Sequence, residues 1–138
     1  MYKKSWSVIG LVVAAAIVIS ITAARGNKDA KSPSAAPLVH VVIFELKKDA
    51  PDDAAAGLIA DAHGMLAKIA SVREVSAGKP APKTGRARSD YGVGLLVRFD
   101  DLEGLKAYEK DPLHIAYVSK HLKNMANVTV YDFVDQKN

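Results

Sequence analysis

A tyrosine and a histidine that could take part in proton transfer stand on either side of a proline. Tyr108 precedes the Asp111-Pro112 pair and His114 follows it. Proline cannot continue a helix, so the chain must change direction between the two side chains, and the bend can turn both toward one point. An imidazole that removes a proton, beside a phenol that donates to a carbonyl oxygen, would suit enolate chemistry. The structural alternative is that His114 caps its helix and Tyr108 only packs.

The remaining histidines permit plainer interpretations. His40 lies among apolar residues of a predicted strand, where it is either a neutral core residue or part of a ligand pocket. His63 borders the apolar face of a predicted helix, and His121 follows His114 by one helical repeat with Tyr117 between them. Histidine and carboxylate ligands are not clustered and cysteine is absent, so we expect no metal site and no cofactor.

The net charge of +4 belongs to the N-terminal part of the chain. Five of the 19 basic residues and one of the 15 acidic residues precede Pro37, and the rest of the chain is therefore neutral. A neutral folded part gives no basic surface for a polyanion, so we expect no nucleic-acid partner. One local exception is a loop with Lys83, Arg86 and Arg88, which either closes over an acidic ligand or lies in solvent.

The N-terminal segment has the pattern of a membrane-targeting sequence. Lys3 and Lys4 precede an uncharged, largely apolar run from Ser5 to Ala24. A run of about 20 such residues is either an uncleaved membrane anchor or the core of a cleaved signal peptide. The basic end stays in the cytoplasm in both cases, so the chain beyond it faces outward. We therefore expect a membrane-anchored domain outside the cytoplasm, or a secreted or periplasmic one if the leader is cleaved.

Composition divides the chain into four segments. A polar, proline-containing stretch separates the leader from a region with regular hydrophobic periodicity. The segments are a signal peptide or anchor at 1–24, a flexible linker at 25–37, a folded domain at 38–134 and a polar tail at 135–138.

The folded domain alternates strand and helix patterns in the order β-α-β-β-α-β. Two helical segments, broken by Pro112, make up the second helical region. The first helix carries an apolar stripe from Leu58 to Ile69, and the last helix places Ile115, Val118, Leu122 and Met125 on one face toward the sheet. The predicted strands are Leu38 to Leu46, Val72 to Lys79, Tyr91 to Phe99 and Val128 to Val134.

This order fits an α+β, ferredoxin-like sandwich, in which one antiparallel sheet is covered by helices on one face. The first strand is apolar on both of its faces, and Leu96 of the third strand points away from the Val93 set. The face without helices therefore needs a cover. A second copy of the chain would supply it by closing two sheets into a barrel, which predicts a homodimer.

Three segments resemble the stress-responsive A/B barrel (Dabb) family of dimeric α+β barrels. They are VHVVIFEL in the first strand, FDDLEGLKAYEKDPLHIAYV through the second helical region, and VTVYDF in the last strand. The most specific parts are His40 and the Asp111-Pro112-Leu113-His114 motif with Tyr108 upstream.

The resemblance implies residue roles as well as a fold. The catalytic tyrosine and histidine of the family's plant polyketide cyclase look like Tyr108 and His114, and its first-strand histidine looks like His40. A further pocket histidine of that enzyme corresponds to Val93, which is a departure from its pattern. With Tyr117 on the same helix side as His114, the expected ligand-binding residues are His40, Val93 and Tyr117.

Two functions remain open on this basis. One is a dimeric small-ligand-binding or stress-associated domain that performs no chemistry. The other is a cofactor-independent enzyme, similar to polyketide cyclases or to dimeric-barrel monooxygenases, acting on a small hydrophobic carbonyl compound. The enzyme requires a pocket of a few hundred Å³ that converges on His114 and Tyr108.

Overall fold

A four-stranded antiparallel sheet forms the centre of the part described by this computed structural model, residues 36–136. The strand order β2-β3-β1-β4 places the first strand between the third and the fourth, as in a split βαβ unit. The predicted ferredoxin-like α+β fold is confirmed. The strands are β1 (Leu38–Leu46), β2 (Val72–Gly78), β3 (Val93–Phe99) and β4 (Met125–Val134).

Three helices lie on one face of the sheet, and aspartates begin two of them. The helices are α1 (Ala54–Gly64), α2 (Leu102–Lys110) and α3 (Pro112–His121). The Asp101 carboxylate accepts from the Gly104 N–H at 2.9 Å, and the Asp111 carboxylate accepts from the Leu113 N–H at 2.8 Å. These bonds satisfy free donors at the helix starts. Because Asp111 ends α2 and caps α3, the chain turns sharply there.

The core lies between the helices and the inner face of the sheet. Alternate residues of β1 and β3 point inward, and Phe99, Val97 and Val93 of β3 are fully buried. The predicted apolar stripe of α1 packs on them through Leu58 and Ala62, which are also fully buried. Short 3₁₀ turns continue α1 at Leu66–Lys68 and α3 at Leu122–Asn124.

The outer face of the sheet has no helix over it within residues 36–136. Val41 and Ile43 of β1 lie on this face beside Leu96 of β3, as the pairing register requires. Tyr131 and Phe133 of β4 extend it and are 60% and 52% exposed. The chain therefore presents the uncovered apolar face that its sequence predicts.

The buried face of α3 differs from the predicted one. Ile115 and Leu122 are 53% and 59% exposed, whereas Tyr117 and His121 are buried. The prediction holds for Val118, which packs against the core. Met125 is buried but begins β4 instead of lying on the helix. The prediction was wrong for Ile115 and Leu122 because it counted only apolar side chains, whereas the polar groups of Tyr117 and His121 form hydrogen bonds to α1. The Tyr117 hydroxyl donates to the Leu58 carbonyl at 3.3 Å, and the His121 Nε2–H donates to the Asp61 carboxylate at 2.7 Å.

The predicted leader at 1–24 and most of the predicted linker at 25–37 fall outside the described residues. Within residues 36–136, no helix is long and apolar enough to cross a bilayer.

Candidate functional site

A cavity of about 350 Å³ opens between the inner face of β1 and β4 and the helices α2 and α3. It lies on the helix side of the sheet. Its polar and aromatic wall comprises His40, Tyr108, Glu109, His114 and Tyr117. Its apolar wall comprises Val42, Phe44, Leu95, Val118, Val128 and Val130.

Tyr108 supplies a neutral phenol to this wall. It lies in the last turns of α2, is 1% exposed and packs with its ring centroid 5.1 Å from that of Phe99. Burial, and secondarily the negative charge of Glu109, raises the pKa of Tyr108 well above its ordinary value. No hydrogen bond to its hydroxyl is formed within residues 36–136. The group is therefore protonated at neutral pH and able to bond to a ligand.

His114 is held against Tyr108 by the turn between α2 and α3. The two ring centroids are 4.3 Å apart with an interplanar angle of 41°. His114 Nδ1 lies 3.2 Å from the backbone carbonyl oxygen of Glu109. A carbonyl oxygen only accepts, so Nδ1 carries the hydrogen in this contact and the neutral ring keeps its lone pair on Nε2. This tautomer is the one that can act as a base through Nε2.

His40 is oriented in the same way by the neighbouring strand. The register of β1 and β4 places His40 directly opposite Asp132, and its Nδ1 lies 2.6 Å from the Asp132 carboxylate. The carboxylate accepts from Nδ1–H, which again leaves Nε2 free in the neutral ring. The His40 ring centroid is 5.8 Å from that of Tyr108. Tyr108 therefore stands between two anchored imidazoles.

Two further residues expected at the site have different surroundings. Tyr117 lines the cavity with its ring, while its hydroxyl is bonded to α1. Burial raises the pKa of Tyr117, and electrostatic interactions with Tyr108 and Asp61 raise it further. Val93 is fully buried in the core opposite Phe44 and does not line the cavity. His63, given a boundary position by the sequence, is exposed on α1.

Sequence reasoning overlooked Asp132 and Glu109. Asp132 belongs to an alternating series with Val128 and Val130 on the inner face of β4, so period-2 alternation could have paired it with β1. Glu109 follows Tyr108 directly and had no distinguishing local signal. Within residues 36–136, His, Cys, Asp and Glu side chains form no group of three or more that could hold a metal ion.

A family model of the stress responsive A/B barrel domain, Dabb, matches residues 38–135. The chain belongs to the Dabb family. No curated protein matches the chain in sequence.

Solved structures share the fold of this Dabb domain. A dimeric ferredoxin-like protein of unknown function from Thermobifida fusca aligns with a TM-score of 0.60 and 20% identity over 70% of this chain and 89% of its own. A Dabb protein from Mesorhizobium loti aligns with a TM-score of 0.59 and 24% identity over 72% of this chain and 97% of its own. Hydroxynitrile lyase from Passiflora edulis aligns with a TM-score of 0.62 and 16% identity over 73% of this chain and 94% of its own. At these identities the similarity shows the fold alone.

The cavity of this Dabb domain combines two chemical environments. Its apolar wall can hold a hydrocarbon chain or ring, and its polar end offers one phenol and two imidazole nitrogens. These groups can donate to an oxygen atom and accept from an acidic C–H or O–H. The arrangement is suited to a ligand with one polar group at the end of an apolar body.

Proposed function

We propose that this Dabb domain acts as a homodimer in which each protomer binds a small, mostly apolar carbonyl compound. The observation that carries the proposal is the cavity of about 350 Å³ whose lining combines Tyr108, His40 and His114 with an apolar wall, the Tyr108 ring lying close to both imidazoles. Each imidazole is already anchored through Nδ1. Little side-chain ordering is then required when a ligand enters.

The exposed surface of β4 supports the dimer. This strand lies at the edge of the sheet and exposes large apolar side chains on both of its faces. Edge strands of this kind are normally covered. Ferredoxin-like proteins from Thermobifida fusca, Bacteroides fragilis and a Jannaschia species are described as dimeric. The exposed residues are Val128, Val130, Tyr131, Phe133 and Val134.

The leader supports a location outside the cytoplasm, either anchored or released after cleavage. Lys3 and Lys4 ahead of the apolar run are the basis of this part of the proposal. A reporter enzyme active only outside the cytoplasm, fused after Asn138, should be active in cells. Activity confined to a reporter that works in the cytoplasm would contradict the proposed topology.

Binding can be tested without knowledge of the natural ligand. Acetophenone and 2-octanone each carry one carbonyl group on an apolar body, and titration into the full-length protein should shift the NMR signals of His40 and His114 ring protons. Tyr108→Phe should weaken binding by about tenfold, since it removes one hydrogen bond in a buried site. Tyr91→Phe, which removes a hydroxyl outside this cavity, serves as the control. Unshifted histidine signals with both ketones would refute the proposal.

A second function, catalysis of proton transfer without a cofactor, is supported by the free Nε2 of His114. This atom would remove a proton from the carbon next to the carbonyl group while the electron pair moves to the oxygen. The Tyr108 hydroxyl would stabilise the resulting negative charge by donating a hydrogen bond. Passiflora edulis hydroxynitrile lyase shares the fold, so the same scaffold can carry an enzyme.

Catalysis has its own test, because proton abstraction is visible as isotope exchange. The protein in deuterium oxide should accelerate loss of the α-proton signal of acetophenone or 2-octanone. His114→Gln should lower that rate by about 100-fold or more, the usual contribution of a general base. His63→Gln, which changes an exposed histidine, should leave it unchanged. Exchange that proceeds equally well in His114→Gln would leave only the binding function.

A further inference from the structure

The charged residues around the cavity have one sign. Glu109 lines it directly, and Asp132 lies behind His40 with its carboxylate 2.6 Å from the imidazole. Among the described residues, no lysine or arginine lines this cavity. A ligand group that enters therefore meets the Glu109 carboxylate in the wall, has the Asp132 carboxylate behind His40, and meets no permanent positive charge.

Protonation of the two imidazoles does not reverse this sign. With both rings neutral, the charges of Glu109 and Asp132 remain uncompensated, and the group of four carries two negative charges. With both rings protonated, His40 and His114 balance the two carboxylates and the group is neutral. As long as both carboxylates are ionised, the polar end of the cavity is thus negative or neutral whichever charge state the two imidazoles take.

Glu109 is the carboxylate that acts on the ligand position itself. After burial, its negative charge is the second cause that raises the pKa of Tyr108, so its field reaches the phenol hydroxyl. Its backbone carbonyl, and not its side chain, is the acceptor for His114. The side-chain charge can therefore be removed without removing the contact that orients the histidine.

The basic residues of the β2–β3 loop do not offset this charge. Lys83, Arg86 and Arg88 line a separate depression on the loop, and Arg88 is paired with Asp90. None of the three lines the cavity beside Tyr108. The loop, which the sequence offered as a cover for an acidic ligand, thus contributes no anion-binding group to this cavity.

We infer that the cavity selects neutral carbonyl compounds against the corresponding carboxylates and that Glu109 sets this selectivity. The inference rests on the ligand-binding function proposed above and narrows its ligand to an uncharged aldehyde, ketone or ester-like group. A carboxylate ligand would bring a third negative charge toward the polar end, whereas a ketone oxygen would accept a hydrogen bond there without that repulsion.

Matched pairs of small molecules test this directly. Acetophenone and benzoate, or 2-octanone and heptanoate, differ by replacement of a methyl group with a charged oxygen. Their dissociation constants for the full-length protein can be measured by NMR titration at pH 7 and low ionic strength, where charge effects are least screened. Each ketone should bind about tenfold more tightly than its carboxylate, a modest ratio because Glu109 is exposed to solvent.

Two variants separate Glu109 from the rest of the domain. Glu109→Gln keeps the size of the side chain and should raise the affinity for benzoate and heptanoate severalfold more than that for the ketones, so that the ketone-to-carboxylate ratio falls. Glu103→Gln removes a carboxylate from the same helix outside the cavity and should leave the ketone-to-carboxylate ratio at its original value.

Each result has a defined meaning. Equal affinity for both members of each pair, or the same ratio in Glu109→Gln and Glu103→Gln, would overturn the selectivity while leaving ligand binding in place. Failure of all four compounds to bind would overturn the ligand-binding function and the selectivity with it. Tighter binding of the ketones that is lost only in Glu109→Gln supports the inference.

Discussion

Asp61 joins α1 to α3, and Asp61→Ala measures how much this contact stabilises the domain. One carboxylate oxygen of Asp61 accepts from Lys120 Nζ at 2.7 Å and from His121 Nε2 at 2.7 Å. The hydrogen bond from Lys120, and then that from His121, outweighs desolvation and lowers the pKa of Asp61 below its ordinary value. Removal of the carboxylate breaks both contacts at once.

The two contacts contribute differently to the stability of the fold. The Lys120 side chain is 60% exposed, so its ion pair with Asp61 contributes about 0.5 kcal/mol. The His121 side chain is 7% exposed, and its N–H loses the carboxylate acceptor, which costs about 2 kcal/mol. Alanine regains about 0.5 kcal/mol through its higher helix propensity. We expect Asp61→Ala to lower the free energy of unfolding by about 2 kcal/mol at pH 7.

The effect should depend on pH in a defined direction. A carboxyl group whose folded pKa is lowered stabilises the fold above its unfolded pKa, and this contribution is lost as pH falls through the folded value. The difference between the wild type and Asp61→Ala should therefore shrink below about pH 4. Urea denaturation followed by circular dichroism at pH 7 and about pH 3.5 measures both values.

Lys120→Ala provides the comparison, because it removes only the exposed half of the arrangement and should cost about 0.5 kcal/mol. The reasoning fails if Asp61→Ala costs no more than Lys120→Ala. It also fails if the cost of Asp61→Ala is as large at about pH 3.5 as at pH 7.

Three other substitutions test the core, the uncovered face and one strand contact. Phe99→Ala empties a fully buried position and should cost about 4 kcal/mol in urea denaturation. Tyr131→Glu should convert the proposed homodimer to a monomer in sedimentation velocity, whereas Leu102→Glu, at a residue 54% exposed on α2, should not. Gly92→Ala should cost about 2 kcal/mol, because its Cβ would lie 2.7 Å from Leu46 Cγ. A dimeric Tyr131→Glu, or unchanged denaturation midpoints for the other two, would contradict the respective argument.

Local periodicity was sufficient to predict most of the fold. β1 begins at Leu38 and ends at Leu46, as its run of β-branched and aromatic residues indicates. The apolar stripe of α1 is equally legible, since Leu58 and Ala62 repeat at helical spacing and both are buried. These signals involve residues close in the chain, so no knowledge of distant partners is required.

The orientation of α3 could not be predicted in the same way. Tyr117 and His121 are buried because Leu58 and Asp61 receive their polar groups, and those partners are about 60 residues away in the chain. A pattern that counts apolar residues assigns Ile115 and Leu122 to the core instead. The decision depends on a tertiary hydrogen bond, which helix periodicity does not contain.

Only the part of the site formed by residues close in the chain could be predicted from the sequence. Tyr108 and His114 are linked by the break at Pro112, which the sequence displays. The contact of His40 with Asp132 depends on the register between β1 and β4, and a shift of one residue would turn Asp132 to the opposite face. The position of the cavity on the helix side further requires the packing of α2 and α3 over the sheet.

The His40–Asp132 hydrogen bond also makes assembly of the site depend on the order in which the strands form. It joins residues 92 positions apart, through β4, the last strand in the chain to be synthesised. Contacts of such long sequence separation carry a large loop-closure cost and form after local helices and hairpins. A nascent chain that lacks β4 would thus hold Tyr108 and His114 near each other but have no Asp132 to orient His40. The orientation of the His40 ring would then be fixed only after β4 has paired with β1.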